Sequence, residues 1–121
     1  MFPNTISILI ATGDTLILNR VNQDSYGSEY QFADATRAAS MKIRHSKDSP
    51  DKDGLTMKRH NVFFEYVVYP TPTSLLKKFT YTGTLRHGQY DDPALCASIA
   101  KGVEAWVSSG SVAADLAAGK N

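Results

Sequence analysis

A chain of 121 residues with 42% apolar content suffices for one domain with a modest core, and at this size a second subunit is a natural way to bury more surface. Its single cysteine, Cys96, excludes an internal disulfide and a cysteine-built metal centre. The formal charge of +1 hides a segregation: Arg37 to Arg86 holds ten Lys/Arg and four Asp/Glu, and the rest of the chain holds three and eight. A basic segment of +6 with acidic flanks of −5 points to a polyanion as its partner. Met1-Phe2-Pro3-Asn4 carries no basic stretch, and the apolar run from Ile6 to Ala11 is too short for a signal core or a membrane span, so no membrane partner is expected.

In chain order, Thr5 to Ala11 and Thr15 to Val21 are β-branched runs around the turn signal Thr12-Gly13-Asp14, which predicts an N-terminal hairpin. Asn22 to Gly27 reads as a polar loop, and Ser28 to Phe32 as a short strand with Tyr30 and Phe32 on one face. From Ala39 to Lys47 the pattern alternates, with Met41, Ile43 and His45 on one face and Lys42, Arg44 and Ser46 on the other. Asp48 to Gly54 is a loop by composition. Leu55 to Tyr69 reads as a long strand, with Val62, Phe64, Tyr66 and Val68 opposite Arg59, Asn61, Phe63 and Glu65.

Pro70-Thr71-Pro72-Thr73-Ser74 is a stiff turn. In the strand predicted over Leu75 to Arg86, Phe79, Tyr81 and Leu85 alternate with Lys78, Thr80, Thr82 and Thr84. Asp92 before Pro93 is a helix start signal. Leu95, Ile99, Val103, Trp106 and Val107 make a helical stripe that Gly110 stops. Ser111 is placed to cap a second, short helix closed by Gly119-Lys120-Asn121.

Two faces emerge, one apolar and one mixing Lys and Arg with Thr, Ser and Asn. The second suits RNA, whose phosphates need cations and whose base edges need donors and acceptors. Taken alone, Lys42 and Arg44 also fit an edge strand guarded against aggregation; with Arg59 and Lys78 patterned alike, RNA contact is the better account. Lys77 is ambiguous, because alternation is poor in Leu75-Leu76-Lys77-Lys78. Phe63, on the polar face, suits either a stacked base or a gap at a dimer centre.

Catalytic and metal readings find little support. His45, His60 and His87 lack an HExxH motif or a compact His/Asp cluster; His45 and His60 are expected to pair across neighbouring strands on the helix side as half-buried histidines. Helix capping accounts for Asp92 of the Asp91-Asp92 pair. Ser108, Ser109 and Ser111 lack a GxSxG context, and Cys96 reads as a small packing residue. No catalytic residue, metal or cofactor is expected.

The runs Arg59-His60-Asn61-Val62-Phe63-Phe64-Glu65-Tyr66-Val67-Val68-Tyr69-Pro70-Thr71-Pro72-Thr73 and Gly83-Thr84-Leu85-Arg86-His87-Gly88-Gln89-Tyr90-Asp91-Asp92-Pro93-Ala94-Leu95, with the closing helix to Ala118, resemble coat proteins of the single-stranded RNA bacteriophages, the levivirus-like group. Length and element order agree across nearly the whole chain. The short Pro70 to Ser74 segment departs from the family's longer loop, and its lack of cysteine excludes loop-to-loop disulfides.

The resemblance implies an α+β fold over residues 1–121. An antiparallel sheet with an N-terminal hairpin (1–21) and an RNA-facing part (28–86) is followed by two C-terminal helices (92–118). It implies an obligate, interlocked homodimer with a continuous sheet, each subunit's helices lying over the partner's sheet, and many dimers closing an icosahedral shell around the genome. The implied inner surface is Lys42, Arg44, Arg59, Asn61, Lys78, Thr80 and Thr82, gripping single-stranded genomic RNA and a hairpin within it. Leu95, Ile99, Val103 and Trp106 are the implied dimer contacts, and Pro70, Thr71, Pro72 and Thr73 the inter-dimer loop. One minor maturation protein is a further implied partner, and the implied location is the virion capsid, assembled in the bacterial host cytoplasm. Two other classes fit the residues: a dimeric RNA-binding translational regulator that builds no shell, and a small enzyme using His60 or His87.

Overall fold

The computed structural model describes residues 2–50 and 52–120. Six antiparallel strands pair strictly in chain order: β1 (Thr5–Ala11), β2 (Asp14–Asp24), β3 (Gly27–Ala33), β4 (Arg37–Lys47), β5 (Met57–Val68) and β6 (Lys77–Gly88). Two helices follow, α1 (Pro93–Val107) and α2 (Val112–Ala117). The predicted α+β architecture is the observed one.

Several boundaries differ from the sequence reading, each for a local reason. Asn22 to Asp24 do not form a loop: they pair with Gly27 to Glu29, across a bulge between Arg20 and Asn22. Only Ser25 and Tyr26 make the turn, where the Asp24 carboxylate accepts the Tyr26 N–H at 2.8 Å. Leu55 and Leu75 to Leu76 fall outside strands, while His87 and Gly88 continue β6 opposite Lys58 and Met57. Asp51, in the predicted Asp48 to Gly54 loop, and Asn121, in the predicted close of α2, lie outside the described residues.

The helix start is as predicted, Asp92 accepting the Ala94 N–H at 2.9 Å with Pro93 in the first turn. Ser111 stands at the N-cap of α2 but its hydroxyl makes no cap bond; it donates to the Asp115 carboxylate at 3.0 Å instead.

The core lies at the hairpin end. Leu16, Leu18 and Tyr30 are fully buried, with Ala39, Met41 and Ile43 beside them and Ile6, Ile8, Phe32, Val62, Phe64 and Tyr66 packed around. The curl that closes this core brings β2 against β4. Three contacts hold it. The Arg37 guanidinium binds the Asp14 carboxylate through two nitrogens at 2.7 and 2.9 Å, joining the β1–β2 turn to the start of β4. The Tyr30 hydroxyl donates to the Pro3 carbonyl at 2.7 Å. Arg20 donates to the carbonyls of Phe2 and Pro3.

The other end is unfinished. No residue of α1 or α2 is buried. Leu95, Ile99, Val103 and Trp106 are 62, 60, 56 and 61% exposed, and Phe79 and Tyr81 on β6 are 57 and 50% exposed. Helix α1 leans on β6, held by the Tyr81 hydroxyl on the Glu104 carboxylate at 2.8 Å. Between α1 and β6 runs a groove of about 610 Å³ lined by Leu85, His87, Leu95, Ile99 and Val103 among others.

Candidate nucleic-acid interface

Strand register decides which side chains share a face, since neighbours along a strand alternate and directly opposed residues agree. Lys42 stands opposite Phe63 and Phe63 opposite Thr82; Arg44 opposite Asn61 and Asn61 opposite Thr84; Glu65 opposite Thr80 and Val67 opposite Lys78. All seven candidate residues, Lys42, Arg44, Arg59, Asn61, Lys78, Thr80 and Thr82, therefore lie on one face of β4, β5 and β6. Tyr81, bonded to Glu104 of α1, points to the other.

The cations on this face divide into two kinds. Arg44 is clamped, donating to the Asp24 carboxylate at 3.0 Å and to that of Glu29 at 2.8 Å. Gly27, opposite Arg44, makes this possible: a Cβ there would meet the Ile43 carbonyl oxygen at 2.0 Å, so only glycine lets β3 close on β4 beneath the arginine stem. The Tyr26 N–H, and after it Arg44, hold the Asp24 carboxyl below its usual range. Lys78 sits 3.4 Å from Glu65, and Arg86 3.0 Å from Asp48. Lys42 and Arg59 make no ion pair among the described residues.

Asn61 directs its amide nitrogen at Thr82 Oγ1 (3.1 Å), the Gly83 carbonyl (3.2 Å) and Thr84 Oγ1 (2.8 Å). Those bonds orient the amide and leave its oxygen as an acceptor on a neutral polar strip. Sequence reasoning put Thr84 on this face without naming it a contact, and missed Asp24, Glu29 and Arg86 as members. The parity of Arg86 with Lys78 was a usable signal. The reach of Asp24 and Glu29 to Arg44 was not, because it depends on which strands become neighbours.

The remaining candidates fall elsewhere. Pro70 to Thr73 lie in a tight exposed turn closed by paired Thr71–Ser74 backbone bonds of 2.8 and 3.2 Å, followed by Leu75 at 86% exposure. On the helix side His45 and His60 pair as expected, and His87 joins them, but His45 is exposed rather than half-buried. No cluster able to hold a metal ion occurs among the described residues. Asp91 accepts the Gly88 N–H at 3.0 Å and Asp92 caps α1, so both carboxylates have structural work.

The fold is similar to that of a chain described as "Virus-like particle of bacteriophage AVE019", with a TM-score of 0.68 over 100% of this chain and 98% of that one, at 11% identity. No curated protein sequence matches the chain. The family described as "Phage phiCb5, coat protein" matches residues 3–88, which hold all six strands. With well over half its length so matched, the chain belongs to the phiCb5 family of phage coat proteins: it is a structural protein of a virion capsid and not an enzyme.

Proposed function

We propose that the chain pairs with a second copy, closes with other pairs into an icosahedral shell, and packages single-stranded RNA against the face that carries Lys42 and Arg59. The observation that carries the pairing is the unfinished half of the molecule. A helix with four large apolar residues more than half exposed stands beside an outermost strand whose Phe79 and Tyr81 are also half bare. Exposed apolar area of this extent marks a contact surface. A second copy supplies what is missing at once: its β6 extends the sheet edge to edge, and its α1 fills the groove beside β6. The AVE019 chain, named for a virus-like particle and alike over its whole length, supports carrying the pairing forward to a shell.

The RNA reading rests on charge and chemistry. The face opposite α1 combines Lys42 and Arg59, which make no ion pair among the described residues, with Asn61 and threonines for base edges and 2′-hydroxyls. Phe63, between Lys42 and Thr82, offers a ring on which a base can stack. A genomic hairpin is the expected specific ligand, and a minor maturation protein the expected second virion component. Assembly in the host cytoplasm follows from where such RNA is made.

Expression of the chain alone, followed by electron microscopy and extraction of nucleic acid, tests the proposal. Closed particles containing nuclease-protected RNA are expected. A stable dimer that binds RNA but never closes under varied salt would favour a translational regulator, and a monomer without RNA would overturn both.

A further inference from the structure

His45, His60 and His87 form one hydrogen-bonded line across β4, β5 and β6 on the helix side of the sheet. Nδ1 of His45 is 2.8 Å from Nδ1 of His60, and Nε2 of His60 is 3.0 Å from Nε2 of His87. Nδ1 of His87 is 2.9 Å from the Gly88 carbonyl oxygen. Ring centroids are 5.0 Å apart for His45 and His60, which meet edge to face at 66°, and 5.1 Å apart for His60 and His87, which stack with their planes 25° apart.

The proton positions follow from the far end. A carbonyl has no proton to give, so Nδ1 of His87 must donate. In a neutral ring its Nε2 is then an acceptor, which places a proton on Nε2 of His60. The Nδ1 of His60 accepts in turn, and Nδ1 of His45 donates. One arrangement of three neutral rings satisfies every contact, and of the three unprotonated nitrogens only Nε2 of His45, at the exposed end, accepts none of the line's hydrogens. A single extra proton fits there, or further in if donor and acceptor roles switch along the line. A second does not fit: each nitrogen–nitrogen contact holds one hydrogen, and two N–H groups would face each other.

We propose that this line is an acid-sensitive latch on the turn that launches α1, holding one extra proton and opening on the second. The Gly88 carbonyl accepts from His87 and also from the Asp91 N–H at 3.0 Å, and the Gly88 N–H donates to Asp91. The latch and the turn into α1 therefore share the Gly88 carbonyl as a common acceptor. Because α1 leans on β6, that turn governs its setting.

The charged surroundings favour opening. Lys47 and Lys58 lie opposite each other on the same face, and Lys58 stands opposite His87. From the turn and α1, Asp91 is committed to Gly88, Asp92 to the helix cap and Glu104 to Tyr81. Burial first, then the charges of His45, His87 and Lys58, lower the pKa of His60. A histidine that holds its proton less readily folded than unfolded costs stability as pH falls through its ordinary value near 6.5. That the opening loosens paired subunits rests on the proposed dimer; the latch itself lies within one chain.

The test uses the purified full-length protein in whatever assembly it forms. Solid-state NMR of the sedimented protein reads the ring nitrogens, and the emission of Trp106, the chain's one tryptophan, reads the setting of α1. At about pH 7.5 protons are expected on Nδ1 of His45 and His87 and on Nε2 of His60. Emission should hold through the first proton and shift with the second, between about pH 6.5 and 5. In His60→Phe that shift should vanish. Three independent titrations near pH 6.5 without a change in emission, or an unchanged shift in His60→Phe, would overturn the latch. Should that variant not fold, the tautomers of the unmodified protein decide alone. The predicted tautomers and emission shift in a monomer would leave the latch standing and sink the dimer.

Discussion

Lys42 and Arg59 are the cations of the proposed RNA face that no carboxylate neutralises among the described residues, and this sets them apart from Arg44. Lys42→Ala and Arg59→Ala should each weaken binding to every RNA and reduce the salt slope by about 1. Arg44→Ala removes the same charge but also releases Asp24 and Glu29 onto the same face. It should therefore weaken binding more than Lys42→Ala does. Glu65→Gln, which frees Lys78 and removes a negative charge, should strengthen it. Asn61→Ala should change discrimination between a genomic hairpin and a scrambled one more than affinity for either, since neutral groups read base edges. Binding of both RNAs across salt measures all five variants; equal losses for Lys42→Ala and Arg44→Ala would show that the clamp is irrelevant to RNA. At this scale the sequence discloses side-chain direction through alternation, as for Lys42 and Asn61. It does not disclose partners such as Asp24, whose distance from Arg44 is set by the bulge in β2.

Among the elements, the N-terminal hairpin carries an ion pair at its tip, Arg37 on Asp14, beside its apolar core and its bonds to the chain's start. The Arg37 guanidinium is the main cause that holds the Asp14 carboxyl below its usual range, and the Thr36 N–H does the same for Asp34. For a carboxyl whose folded pKa is depressed, the stabilisation is present above the unfolded value near pH 4 and is lost as pH falls through the folded one. Asp14→Asn should speed amide exchange at Leu16 and Leu18 several-fold at neutral pH, and the difference from the unmodified chain should shrink below about pH 4. Unchanged protection at those two amides would mean that the apolar core holds the hairpin alone. This acid window lies below the histidine window, so the two losses separate in one titration. The hairpin, the long strands and α1 were legible because period-two and 3.6-residue patterns are local. The ends of β2 and β6 were not, because Asn22 and His87 are polar residues kept in strands by their pairing partners.

At the scale of the whole molecule, the buried core ends about where the helices begin, and Trp106 tests what completes it. In a solitary chain Trp106 is 61% exposed, and its truncation would cost little, on the order of 0.5 kcal/mol as for other surface positions. If α1 packs on the sheet of a second copy, Trp106 becomes a core residue and its truncation costs about 3–5 kcal/mol. An obligate dimer has no stable folded monomer to fall back on, so the loss is read in folding itself. Trp106→Ala should give little soluble folded protein, and Leu95→Ala and Ile99→Ala should lower the dissociation midpoint in denaturant in a concentration-dependent way. A soluble Trp106→Ala monomer with unmodified thermal stability would show that the exposed stripe of α1 has no partner on the sheet and would withdraw the basis for the interlocked pair.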